Sequence, residues 1–141
     1  MIPTFEEQTS PLTEYEESVL LPLLIQGFKT KIGQKNCVTN PYICKMLKSK
    51  GFEVSEPRIR KLVFHIRHNN LVPRLIASSK GYWIATSKEE IESWLNSLNS
   101  RIGALMETRE YATSMLSQWG ENVQEQKETI IQTQLFNNYG S

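Results

Sequence analysis

Few residues in this chain have the types and spacing that chemistry requires, and most of those are cations. The stretch Ser55 to Asn69 carries Arg58, Arg60, Lys61, His65, Arg67 and His68. Groups suited to covalent or acid–base catalysis are sparse. The 141 residues contain no Asp, and there is no Gly-rich phosphate loop and no Ser/His/acid or Cys/His arrangement that the order of elements would bring together. Two cysteines, Cys37 and Cys44, and two histidines, His65 and His68, raise the question of zinc. The spacing C-x6-C, twenty residues, then H-x2-H fits no common zinc finger. No enzyme, catalytic residue, metal ligand or cofactor is therefore expected. The chemistry within reach is the binding of an anion by clustered Lys and Arg.

The distribution of charge supports this. Net charge is +1 overall, but residues 1–28 hold five Glu and no cation. Residues 29–80 hold twelve Lys or Arg against Glu53 and Glu56, and residues 81–141 hold four against eight Glu. A basic middle between acidic flanks suits a polyanion partner. Two cysteines are too few for a disulfide framework, so a reduced pair and a cytoplasmic protein are expected. No run approaches 18 apolar residues, and Met1 to Glu7 lacks the basic and apolar regions of a signal peptide, so no membrane partner is expected.

The elements that must position the cations follow from patterning. Residues 1–12, punctuated by Pro3 and Pro11, read as a flexible arm. Thr13-x-x-Glu16 has capping-box spacing and opens a helix through Val19, Leu20, Leu23, Leu24 and Phe28, with a kink expected at Pro22. Asn36 to Val38 reads as a short strand. Thr39-Asn40-Pro41 starts a second helix to Lys50, with Ile43, Met46 and Leu47 as its buried side and Gly51 as a left-handed stop. Ser55 caps a third helix to Asn69, in which Ile59, Leu62, Val63 and Ile66 form one apolar stripe at i, i+3, i+4 and i+7. Its opposite side carries Pro57, Arg60, Lys61, Phe64 and His68. Two β-rich runs then flank Ser78-Ser79-Lys80-Gly81, a hairpin turn. Trp83 and Ile84 fall on opposite faces, one inward and one outward. Ser87-x-x-Glu90 is a second capping box. The helix behind it repeats Ile91, Leu95, Leu98, Ile102, Leu105, Arg109, Ala112, Leu116 and Trp119 in steps of four and three, a coiled-coil seam with one polar interruption. Trp94 and Met106 widen the apolar face, which leaves packing against the helix's own domain as the alternative to self-association. Gly120 is expected to end or break this helix. The Gln/Asn-rich residues 120–141 are either one further weak helix or disordered.

The expected class is mainly α with a small β-hairpin (α+β): an arm (1–12), a winged helix-turn-helix domain (13–86), a long helix with a possible dimerisation seam (87–119) and a tail (120–141). Helix, helix, helix, hairpin is the order of a winged helix. Residues 39–86 resemble the winged helix-turn-helix domain at the N-terminus of the biotin operon repressor family, and also small uncharacterised winged-helix proteins of phages and prophages. The resemblance is carried by Val54-Ser55, Ile59-Arg60-Lys61-Leu62-Val63, Ile66-Arg67 and Ser79-Lys80-Gly81-Tyr82-Trp83-Ile84. It implies DNA binding by residues 56–69. The ligase activity of that family is not implied, because the chain has no room for the domain that carries it.

In the expected mechanism the third helix enters the major groove of double-stranded DNA. Arg60 and Lys61 reach base edges, while Lys45, Lys48, Arg58, Arg67, His68, Ser79 and Lys80 hold the backbone. Five neutralised phosphates would produce a log–log salt slope of about −4 to −5. Phe64 stands where such readers usually carry a polar side chain; it either rests on a neighbouring helix or meets a thymine methyl. Ile91, Leu95, Leu98, Ile102, Leu105 and Leu116 are the expected dimerisation residues of a homodimer that regulates transcription or replication. The competing expectation is a phage-type protein-interaction module that turns the same surface to a host protein.

Overall fold

A computed structural model describes the backbone of residues 3–140 and the side chains of residues 6–120. The described chain is mostly helical, with one two-stranded antiparallel hairpin, and divides into two compact units after Leu95. The order is α1 (Pro3–Thr9), α2 (Leu21–Phe28, led in by a wide turn Glu16–Leu20), α3 (Asn40–Ser49), α4 (Glu56–His68), β1 (Leu75–Ser78), β2 (Gly81–Ile84) and α5 (Lys88–Gly140).

The capping chemistry acts where the side chains suggested. Glu16 Oε1 accepts from the Thr13 N–H at 2.8 Å, and the Glu16 N–H donates to Thr13 Oγ1 at 3.1 Å, a reciprocal box. The lead-in turn is π-type, with the Leu21 N–H donating to the Glu16 carbonyl five residues back. A widened turn makes room for Pro22, whose ring would collide with the carbonyl four residues earlier. Thr39 and Ser55 cap α3 and α4 through the N–H groups of Tyr42 and Arg58, and each helix carries Pro in its first turn. α3 ends with Gly51 at φ 87°, the Phe52 N–H on the Leu47 carbonyl and the Gly51 N–H on that of Lys48, which is a Schellman motif.

One core joins these elements. Leu20, Leu24 and Phe28, Ile43 and Leu47, the α4 stripe Ile59, Leu62, Val63 and Ile66, and Val72, Leu75 and Tyr82 form a single buried cluster. The rings of Phe28 and Tyr82 meet edge to face, their centroids 5.8 Å apart. Met46, expected in this core, is 40% exposed. It lines an apolar cavity with Leu23, Leu24 and Phe28 instead of filling it.

The hairpin pairs Leu75 with Ile84 through Ser78 with Gly81, leaving Ser79-Lys80 as its two-residue turn. It is backed by the segment before α3. Val38 and Tyr82 exchange both backbone hydrogen bonds, the Ile84 N–H donates to the Lys31 carbonyl, and the Gly33 N–H donates to that of Ile84. The expected strand at Asn36–Val38 is thus a single bridge residue, Val38, behind a 3-10 turn at Gln34–Asn36. This backing explains Gly81. A Cβ at that position would lie 2.5 Å from the Val38 carbonyl oxygen, and its φ is +124°.

Neither face of the hairpin is left outward. Ile84 packs on the main core, and Trp83 is buried with Ile76 and Ala85 beneath Trp94 of α5. Trp94 therefore belongs to the hairpin's cover, and the division between the two units falls inside α5 rather than before it. The Ser87–Glu90 box caps α5.

Two further expectations change. Within the expected arm, residues 3–9 form α1. α5 continues through Gly120 without a break and reaches Gly140. Val123, Ile130, Ile131, Leu135 and Phe136, the apolar positions of the further weak helix expected in the tail, lie outside the described side chains. No helix among the described residues is long and apolar enough to cross a membrane.

Candidate nucleic-acid interface

The outer side of α4 is set by its inner side. With Ile59, Leu62, Val63 and Ile66 all below 2% exposure, the helix cannot rotate, so Arg60, Lys61, Phe64 and His68 stand together on the solvent side. Phe64 is 47% exposed and is not among the described side chains packed on the main core. Its ring stacks on His68 at 4.7 Å, interplanar angle 22°, and the Lys61 ammonium lies 5.7 Å from its centroid. Phe64 thus organises a column of two basic side chains on its own helix. The cation–ring contact is worth about 0.5–1 kcal/mol at such an exposed site. Arg60 sits 3.7 Å from Glu56 one turn earlier. With both side chains over 40% exposed, that pair holds the guanidinium only weakly.

Arg58 is a correction. The sequence suggests a phosphate contact, but the Arg58 guanidinium is turned inward and fully committed. Nε donates to Glu16 Oε2 at 2.7 Å and Nη2 to Oε1 at 2.6 Å. The remaining donors reach the carbonyls of Ser10 at 2.9 Å, Pro11 at 3.0 Å and Glu7. The two side chains are 12% and 6% exposed. The Arg58 guanidinium holds the Glu16 carboxyl below the usual carboxylate range, against the opposing pull of burial, and the Thr13 N–H adds to the lowering. Arg58 is pushed up by the same pairing. It therefore straps the acidic N-terminal segment across the start of α4, where the Ser55 hydroxyl also donates to Glu7.

The other expected backbone contacts lie in three places. Lys45 and Lys48 of α3 are exposed and line an open groove of about 730 Å³ together with Glu7, Glu16 and Glu53, so their surroundings are of mixed charge. Ser79 and Lys80 form the hairpin tip; the Lys80 N–H donates to Ser78 Oγ at 3.1 Å, and the Lys80 carbonyl accepts from Cys37 Sγ at 3.3 Å. Arg67 lies near the end of α4. The alternative in which it pairs with a Glu of the last helix is not realised among the described residues, where it makes no ion pair. Instead it lines a cavity with Arg74, a cation that sequence reading passed over. The available signal was local: Pro73-Arg74 opens the hairpin, and Arg occupies a turn position where Gly is usual.

The described residues hold no cluster of three or more His, Cys or acidic groups that could bind a metal. Cys37 and Cys44 are free thiols, and burial pushes the Cys44 thiol up, away from a reactive thiolate. In the second unit, Ile102, Leu105, Leu116 and Trp119 of the α5 seam are all more than half exposed. Ile91 and Leu98 are more covered. Comparison with models of known protein families, with curated proteins and with solved structures finds no match.

Proposed function

We propose that the protein is a winged-helix DNA-binding protein that reads the major groove with α4 and acts as a dimeric regulator of transcription or replication in the cytoplasm. One observation carries this reading. α4 buries its apolar stripe completely and leaves Arg60, Lys61, Phe64 and His68 together on the solvent side, next in sequence to a hairpin with Lys80 at its tip. Arg60 and Lys61 lie in the first half of that face, suited to base edges, and an Arg–guanine contact is worth roughly 1–3 kcal/mol of discrimination. Phe64 belongs with them as an apolar surface for a thymine methyl, held flat by His68. Arg67, His68, Lys45, Lys48, Ser79 and Lys80 are the proposed backbone contacts. Arg58 drops out because its donors are all used internally.

The exposed α5 seam supports self-association through Leu95, Ile102, Leu105 and Leu116. Two-fold pairing would set two reading helices on a palindromic site.

The competing reading is an interaction module for a host or phage protein, and the exposure of Phe64, Tyr42 and Met46 favours it. The double variant Arg60→Ala/Lys61→Ala separates the two. Retention on mixed duplex DNA at moderate salt is expected in the unmutated protein and lost in the variant. Equal retention by both proteins, or a salt slope near zero, would overturn the DNA reading.

A further inference from the structure

Among the described residues, two that are not glycine take a positive φ: Asn70 at 51° and Arg74 at 65°. Asn70 is accounted for by the end of α4. The Leu71 N–H donates to the Ile66 carbonyl and the Asn70 N–H to that of Arg67, a Schellman motif in which Asn is an accepted left-handed residue. Arg74 has no such account. Val72-Pro73-Arg74-Leu75 places Pro second and the positive φ third, the type II pattern, in which the third residue is ordinarily Gly. A long side chain is held where glycine would relax the backbone, and an outlier of this kind points toward a function for the side chain.

The surroundings indicate what that function is. Arg74 and Arg67 line one cavity of about 260 Å³ between the end of α4, the hairpin and the start of α5. No Asp or Glu lines it, and neither guanidinium makes an ion pair among the described residues. Glu92, which lines the adjoining cavity with Arg74, sits 3.5 Å from Lys88. Asn70 is the other polar residue of the lining, the rest of the wall is carbon, from Val72, Leu75, Ile76, Ile91 and Trp94, and the Trp94 indole N–H has no acceptor. Two planar forks from different elements suit an oxyanion with three or more oxygens, since a carboxylate is satisfied by one fork. The apolar wall suits a carbon body attached to that oxyanion.

We infer that this corner is a phosphate-ester site, with the oxyanion on Arg67 and Arg74 and the ester carbons on the Ile76–Ile91–Trp94 wall. The phosphate has two possible sources: the backbone of bound duplex, which rests on the DNA reading above, or a free small ester.

The test titrates the full chain with phenyl phosphate and follows the Arg67 and Arg74 Nε–H and Trp94 Nε1–H signals by NMR. Duplex binding is measured in parallel on the unmutated protein and on Arg74→Gly, which removes the guanidinium and relaxes the turn, so folding is not at risk. Saturable shifts are expected, with affinity falling about tenfold in Arg74→Gly, and inorganic phosphate should bind more weakly than the ester. If Arg74→Gly also weakens duplex binding across all sequences and the ester competes with duplex, the source is the DNA backbone. If duplex binding is unchanged, the source is a free ester. If the unmutated protein retains no duplex, the DNA reading fails and the titration alone decides: saturation supports the site and non-saturation overturns it. Shifts that never saturate, or that persist in Arg74→Gly with duplex binding unaltered, overturn the inference.

Discussion

Replacing Glu16 by Gln should be among the most damaging single changes in the first unit, although the change is nearly isosteric. It removes the charge opposite Arg58 but leaves the guanidinium 12% exposed and still tied to the carbonyls of Ser10 and Pro11. Breaking one side of a buried pair costs about 3–5 kcal/mol. Because those carbonyls continue to accept from Arg58, the loss should fall at about 3 kcal/mol, the low end of that range. For a urea slope of roughly 1.5 kcal/mol/M, the midpoint should move by about 2 M. The pH dependence has a definite sign. The folded-state pKa of Glu16 lies below its ordinary value of 4.5, so its contribution is present above that value and is lost as pH falls through the lower, folded-state value. The variant lacks this titration, so the gap between the two proteins should close in acid. Urea unfolding at pH 7 and in the acid range, followed by the fluorescence of buried Trp83, measures both effects. A loss under about 1 kcal/mol at pH 7, or a gap that does not change with pH, would refute the argument that this pair is buried and coupled. Replacing both partners together, as Glu16→Leu/Arg58→Met, should recover much of the loss, since an apolar pair of similar volume carries no desolvation penalty.

Three other outcomes are expected. Gly81→Ala should cost about 3 kcal/mol in thermal or urea unfolding, because the new Cβ lies 2.5 Å from the Val38 oxygen in a backbone region that side chains rarely enter. Ser55→Ala should cost about 1 kcal/mol by the same measurement, through the lost cap on the Arg58 N–H. Leu105→Glu should leave the melting of the first unit unchanged, since Leu105 is 69% exposed in the single chain. It should nevertheless reduce the mass from two chains to one in light scattering, and a single-chain mass in the unmutated protein would defeat the dimer.

The helices α3 and α4 were legible almost to the residue, because their limits are written in local chemistry: Thr39 and Ser55 as caps, Pro41 and Pro57 in the first turns, Gly51 as the stop. The hairpin was equally legible, since Ser79-Lys80 and Gly81 define a short loop between two β-rich runs. The long helix was under-read at its far end. Gly120 costs a helix only about 1 kcal/mol, which its neighbours outweigh. The candidate site was read in part. Arg60, Lys61 and His68 follow from helical spacing alone. Arg58, two residues before Arg60, looks like one more surface cation, and only the fold brings Glu16 to it from 42 positions away.

What the sequence by itself determined is therefore the set of elements and the basic outer face of α4, because capping, periodicity and turn chemistry act over a few residues. The tertiary structure decided which cations remain available. Arg58 is withdrawn by Glu16 and the carbonyls of the N-terminal segment, Phe64 is kept out of the core to stack on His68, and Arg67 is joined by Arg74 across one cavity. The physical reason is that a charged side chain takes its role from the dielectric and the partners around it, and those are assembled only when distant segments pack.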